Sequence, residues 1–253
     1  MNTYTCRRDK NSFASTFDNL RGSATSLARV IAFIGTVGSG KSTHMKILYS
    51  RLRRSGFKVK MGFLKTGNLF AFILEILLAK ISTRKRRNVS PIRALLEERP
   101  TLFRRIFRLW LGLDLVSITL KFFIYVYLPL RLGYIVLFEE YIPAVISDYI
   151  YLSRIIGFPL RTNSFAINYP LRLMKSCGPT QIIFLDAKDD ELKRRWKLRG
   201  SPDERKDYLQ MQRTLLLRIA RELSSYGLIH IDTEAKTLAE VQKLIMTQIL
   251  VKD

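Results

Sequence analysis

Five short apolar runs punctuate the chain, each set off by a turn or by a stretch of helical periodicity. They cover residues 29–34 (RVIAFI), 57–64 (FKVKMGFL), 133–139 (GYIVLFE), 181–186 (QIIFLD) and 227–232 (GLIHID), and they predict strands. The first is apolar and β-branched, and the second alternates polar with apolar positions. Helices are predicted after residue 42 up to a Ser55-Gly56 stop, over 69–81, from Pro91 until Pro100 stops it, and over 102–131. Others fill the stretch to about residue 175, then 189–198, 207–224 and 237–250. Strands alternating with helices imply a three-layer α/β/α domain over 27–253, with a five-stranded parallel sheet covered on both faces. Residues 1–26 are polar and Ser/Thr/Asn-rich and read as a flexible N-terminal extension. Ligands of such a sheet bind at the carboxyl ends of its strands. Gly35, Lys65, Glu139, Asp186 and Asp232 all lie at or just past such ends.

The junction of the first strand and first helix carries the most specific chemistry. Residues 35–42 read GTVGSGKS, a complete G-x-x-x-x-G-K-[ST] phosphate-binding loop in its proper strand–loop–helix setting. Its backbone N–H groups and the following helix N-terminus form a socket for a triphosphate. Gly35, Thr36, Val37, Gly38, Ser39, Gly40, Lys41, Ser42 and Thr43 are therefore the expected ATP-binding residues. Lys41 is placed to bridge the β- and γ-phosphates, and Ser42 to hold Mg²⁺. Glu139, ending the third strand, is an acid in position to join the Mg²⁺ shell, with Glu140 beside it. Arg194, Arg195 and Arg199 precede a polar break at 199–204 whose Gly200 and Pro202 suit a helical lid. His44 and His230 have no ligand or triad partner nearby and read as packing residues, as do Trp110 and Trp196. Among Tyr141, Tyr149 and Tyr151, either helix packing or stacking on an acceptor base fits.

Composition adds one strong feature. The chain has 253 residues and a formal net charge of +22. Between residues 51 and 131 a dense series of arginines and lysines faces only Glu75, Glu97, Glu98 and Asp114. Such a field attracts polyanions, from nucleotides to anionic lipid headgroups, or is simply a solvated surface. Nucleic acid is not the expected partner. Two cysteines give neither a disulfide framework nor a metal site, which suits a reducing, cytoplasmic setting. The apolar stretch 109–130 contains Asp114 and Lys121, seven apart and so on one helix face. It fits a helix packed in a core or dimer interface, or one attached at a membrane surface.

These pieces, in this order, resemble the thymidylate kinase family of P-loop nucleoside monophosphate kinases. The likeness rests on VIAFIGTVGSGKSTH at 30–44, LGYIVLFEEY at 132–141, the spacing from Leu185-Asp186 to Arg195, Arg199 and Gly200, and His230-Ile-Asp-Thr233. It implies a P-loop NTPase fold with a helical lid, Mg-ATP as phosphoryl donor, a nucleoside monophosphate such as dTMP as acceptor, and a homodimer. It further implies that Lys41, Glu139, Arg195 and Arg199 serve the transfer, while Lys65, Glu140 and Tyr141 lie on the acceptor side. Two positions depart from the family. Glu140 stands where an arginine follows the strand-end acid, and Leu64-Lys65-Thr66-Gly67 replaces an Arg-Glu-Pro-Gly-like turn. The departures leave two alternatives, a P-loop kinase with a non-nucleotide acceptor and a non-catalytic ATP-binding protein at a membrane surface.

Overall fold

A computed structural model of the chain describes residues 28–82, 90–200, 204, 206–225 and 227–250. The extension expected over 1–26, the basic loop at 83–88 and Pro202 of the polar break lie outside the described residues.

The apolar runs form β1 (Val30–Gly35), β2 (Val59–Phe63), β3 (Ile135–Glu139), β4 (Thr180–Asp186) and β5 (Leu228–Asp232). All pair in parallel, in the order β2-β3-β1-β4-β5. The first strand in sequence therefore lies at the centre, with a neighbour on either side. Helix α1 (Lys41–Arg54) leaves the phosphate-binding loop, and α2 (Leu69–Ser82) follows β2. Then come α3 (Pro91–Glu98), α4 (Pro100–Arg131), α5 (Ile142–Ile155), α6 (Phe165–Ser176) and α7 (Asp189–Arg199). Helix α8 runs through Lys206–Met211, a π-helical Gln212–Leu216 and Leu217–Leu223, and α9 is Leu238–Leu250.

Pro100 does more than stop a helix. Arg99 breaks the run at φ −139, and Pro100 opens α4 from its first turn, where proline's missing N–H costs nothing. Near its far end α4 passes through a π-helical turn at Phe123–Tyr127. Gly200, at φ 64, caps α7 in the left-handed conformation that glycine adopts freely.

Alternation along the strands divides the core into two layers. Val30, Ala32 and Ile34 of β1, with Val136 and Phe138 of β3, pack under α4, α5, α6 and α8. Ile31 and Phe33, with Leu137 and Ile183, pack against Leu48 and Leu52 of α1 and Val241 and Ile245 of α9. Burial on both faces is what a near-continuous apolar run in a parallel sheet serves. The result is a three-layer α/β/α sandwich around a five-stranded parallel sheet.

The turn after β2 is held by polar groups of α4. Asp114 is fully buried and accepts from the N–H groups of Gly67 at 3.0 Å and Asn68 at 3.1 Å and from the Tyr149 hydroxyl at 2.9 Å. Lys121 donates to the Asn68 side chain. The polar face expected of α4 thus exists and is spent on this one turn. Beside it, buried Glu75 of α2 accepts from the Trp110 indole at 2.8 Å. Burial pushes the Glu75 carboxyl up to about 7, against the pull of the Trp110 bond, and pushes Asp114 up to about 6 against its three donors.

Both carboxyls bind a proton more tightly folded than unfolded. Their contribution is complete below their ordinary values of 4.5 and 3.8 and is lost as pH rises through 7 and 6. Denaturant unfolding at about pH 5 and about pH 8 is expected to show a loss of about 2–3 kcal/mol from Glu75 alone. Glu75→Gln keeps an acceptor for Trp110 and removes most of that drop.

Candidate active site at the phosphate-binding loop

The loop grows out of the sheet at Gly35. Its backbone has φ 134, and a Cβ there would lie 1.9 Å from the Leu185 carbonyl oxygen of β4, so only glycine fits. The Thr36 N–H donates to that carbonyl, and the Thr36 hydroxyl donates to Asp186 at 2.8 Å. Gly38 and Gly40 turn the loop at φ 89 and φ 94. Helix α1 starts directly after Gly40, with no side-chain cap and no acid in its first turn, so its leading N–H groups remain available to an anion.

Parallel register sets the acids opposite the loop. Glu139 pairs with Phe33 of β1 and Phe63 of β2, which brings its carboxylate to the Ser42 hydroxyl. Ser42 donates to Glu139 at 2.5 Å, a charge-assisted bond. Hydroxyl and carboxylate oxygens this close suit a hard divalent cation. The Ser39 hydroxyl is buried with no hydrogen-bond partner among the described residues. Free first-turn N–H groups, an unpartnered Ser39 hydroxyl and the Ser42–Glu139 pair together fit the phosphates and Mg²⁺ of a nucleoside triphosphate.

Lys41 is not extended over the loop. Its ammonium donates to the carbonyls of Gly35 at 3.0 Å and Thr36 at 2.9 Å and lies 3.2 Å from a Glu140 carboxylate oxygen. Both side chains of that ion pair are about nineteen-twentieths buried (6% and 5% exposed). Glu140 reaches Lys41 from a left-handed backbone at φ 58, while its N–H donates to Phe33 of β1 at 2.9 Å. A non-glycine residue held in that region carries about 1 kcal/mol or more of strain and is kept there by its surroundings.

A second feature lies past the turn after β2. A cavity of about 390 Å³ is lined by Lys65, Thr66, Phe72, Arg93, Asp148 and Tyr208, among others. Lys65 donates to the Tyr208 hydroxyl at 3.1 Å, and Tyr208 and Thr66 donate to Asp148 at 3.3 and 2.9 Å. Burial works against the Lys65 ammonium, but Tyr208, Asp148 and Glu140 outweigh it and hold its pKa well above the usual lysine range. Glu140 thus pairs with the lysine of the loop, and its charge also acts on the lysine of the cavity.

Other expected site residues are placed differently. Tyr141 is fully buried, with its ring 5.1 Å from that of Phe138, so it belongs to the core and not to the cavity. Of the neighbouring tyrosines, Tyr149 binds Asp114, while Tyr151 lines the cavity. Arg195 is spent on docking: it donates to Glu191 at 2.7 Å, to the Gly38 carbonyl at 3.3 Å and to the hydroxyl and carbonyl of Thr233, each at 3.0 Å. Arg199 is exposed in the last turn of α7, and Thr43 is exposed on α1. His44 is buried, and its Nδ1 meets the Gln242 amide at 2.9 Å. Burial, with help from Arg195, lowers His44 to about 4, so it is neutral and structural.

Three residues that no motif marks complete the loop's surroundings. Gln212, in the π-helical turn of α8, accepts from the Val37 N–H at 3.0 Å. Next to it, Arg213 pairs with Asp186 at 3.0 Å and with Asp189. Trp196 donates to the Val37 carbonyl at 3.1 Å, and a Cβ on Gly38 would lie 2.7 Å from its indole nitrogen. Gln212→Leu leaves the Val37 N–H without its acceptor. It is expected to cost about 1–3 kcal/mol in denaturant unfolding, with no change in the sheet's circular dichroism.

No protein-family model matches the chain, and no curated protein matches it in sequence. Among solved structures, a thymidylate kinase from Candida albicans superposes with a TM-score of 0.48 at 17% identity, over 88% of this chain and 91% of that one. The crystal structure of APE1195 superposes with a TM-score of 0.39, also at 17% identity, over 88% of this chain and 96% of that one.

Proposed function

We propose that the chain is an ATP-dependent phosphotransferase that moves the γ-phosphoryl of Mg-ATP to a nucleoside monophosphate. The observation that carries this reading is the buried Lys41–Glu140 ion pair at the loop, whose carboxylate also helps to hold the Lys65 ammonium of the cavity charged. One carboxylate thus acts on a cation of each site. The cavity offers Lys65 as a point for phosphate and Phe72, Tyr151 and Tyr208 as walls for a ring, with Arg93 at its lining held by Glu97 and Glu204.

In this reading the loop N–H groups and Lys41 hold the triphosphate, and Ser42 and Glu139 hold Mg²⁺, which neutralises phosphate charge when bound. Lys65 orients the acceptor phosphate. Arg195 keeps α7 against the loop, and Arg199 faces solvent at the lid side. The chemistry is positioning and charge neutralisation, so no dedicated proton base is needed. Lys41 must exchange Glu140 for phosphate oxygens on binding ATP, which raises the cost of binding. That same ion pair favours a second reading, in which ATP is bound without transfer or the acceptor is not a nucleotide.

Transfer from labelled Mg-ATP across a panel of nucleoside monophosphates separates the readings. Transfer to at least one, abolished by Lys41→Ala, is the expected result. Retained ATP binding with no nucleotide product sinks the first reading and leaves the second. In the same assay series, Glu140→Gln frees Lys41 from its ionic partner and is expected to tighten ATP binding by about tenfold, a gain of about 1.4 kcal/mol. Equilibrium dialysis with a non-hydrolysable ATP analogue measures it.

A further inference from the structure

Helix α4 carries a surface that nucleotide chemistry does not use. It is 32 residues long and is the one helix among the described residues long and apolar enough to cross a membrane. A core helix of that composition is mostly buried, yet only 39% of its most apolar stretch is. One face is spent on the core through Phe107, Trp110, Ile118 and Phe122. The opposite face presents Leu109, Val116, Leu120 and Phe123 to the outside, with Leu109 58% and Phe123 54% exposed. Their spacings of seven, four and three residues build a single stripe along the helix.

The stripe has apolar neighbours on both flanks. Helix α2 packs along one side and continues the surface with exposed Phe70, Ile73, Leu77 and Ile81. The Phe70 N–H donates to Ser117 of α4 at 3.2 Å, which fixes the start of α2 beside the stripe. On the other side, between α4 and α6, lies a groove of about 560 Å³. Gly112, Leu115, Val116, Phe165 and Tyr169 line it, and Arg108 stands at its edge, 5.1 Å over the Phe158 ring.

Cations bracket this apolar face. Arg104, Arg105 and Arg108 are exposed near the start of α4, and Arg131 ends it, 5.1 Å over the Tyr127 ring. Lys60 of the edge strand β2 lies 5.3 Å over Tyr125. Arginine and lysine stems lying along aromatic rings, with heads outward, suit the boundary between hydrocarbon and phosphate. The whole chain carries +22.

We propose that this face docks on an anionic phospholipid bilayer, with α4 lying in the plane of the interface. The apolar stripe enters the acyl boundary, and the arginines at its two ends meet headgroup phosphates. Charge decides the occupant. A second copy would bring one +22 chain against another, whereas an anionic leaflet supplies the opposite sign. Arg108 beside an apolar groove also matches the head and tail of one lipid. Docking on the surface, not spanning, follows from Asp114, whose buried bonds to Gly67 and Asn68 tie α4 to the core. The proposal is independent of whether the loop transfers phosphate.

The test uses the full chain with phosphatidylcholine vesicles, with and without phosphatidylglycerol. Cosedimentation with the anionic vesicles only, weakening as salt rises, is expected. Leu120→Glu with Phe123→Glu changes two exposed side chains, and the double variant is expected to keep its circular dichroism and thermal midpoint while partitioning about tenfold more weakly or worse. Arg105→Glu with Arg108→Glu is expected to flatten the salt dependence. Failure to pellet with anionic vesicles at low salt overturns the proposal, as does pelleting that the Leu120/Phe123 variant leaves unchanged. A lipid-free dimer in sedimentation velocity that the same variant converts to monomer also overturns it and assigns the face to a second copy.

Discussion

The contact between Gly35 and β4 is the constraint on which the site depends. At the centre of the sheet, β1 runs so close to Leu185 that no side chain fits between them. That approach lets the Thr36 N–H and hydroxyl reach β4 and Asp186, which fixes the first turn of the loop. With β1 fixed, the parallel register carries Glu139 on one side and Asp186 on the other to the same edge. A one-residue slip of β3 would point Glu139 into a core layer and leave Ser42 without its partner. Geometry at one glycine thus governs which acids the loop can use.

Around that frame the site is charge-balanced without any ligand. Lys41 and Lys65 face Glu140 and Asp148, and each side chain has polar partners. Buried ions are tolerable only in such arrangements, because an unpaired one costs several kcal/mol. The balance also means that an arriving phosphate competes with carboxylates already in place. Affinity for a polyanion is then set by how readily Glu140 yields, and less by how many cations surround the loop.

Much of this was legible in the sequence because it is local. The apolar runs give the strands, and eight consecutive residues give the loop. Glu139 was visible as an acid at a strand end, and the seven-residue spacing of Asp114 and Lys121 gave the polar face of α4. What stayed hidden depends on distant partners. Gln212 meets Val37 across 175 positions of chain, and nothing in its helix marks it. Arg195 sits at the spacing expected of a residue facing the transferred phosphoryl, yet Glu191 one turn earlier and Thr233 beyond β5 hold it against the loop backbone. Tyr141 follows two site acids directly, but its extended backbone at φ −163 turns the ring into the core. Periodicity reports which face of an element is apolar; it does not report which element will lie opposite.

The π-helical turn that carries Gln212 has a consequence for how this chain can change. A π-turn fits one extra residue into about the rotation and rise of a regular α-helical turn, so the helix on either side of it stays in register. Deleting one residue from Gln212–Leu216 would return the segment to regular α-helix with the flanking residues still on their present faces. The cost of such a deletion falls on the turn itself, where Gln212 meets Val37 and Arg213 meets Asp186. A one-residue change of length, which in a regular helix would rotate everything beyond it, is thus confined here to the two side chains of α8 that reach the loop.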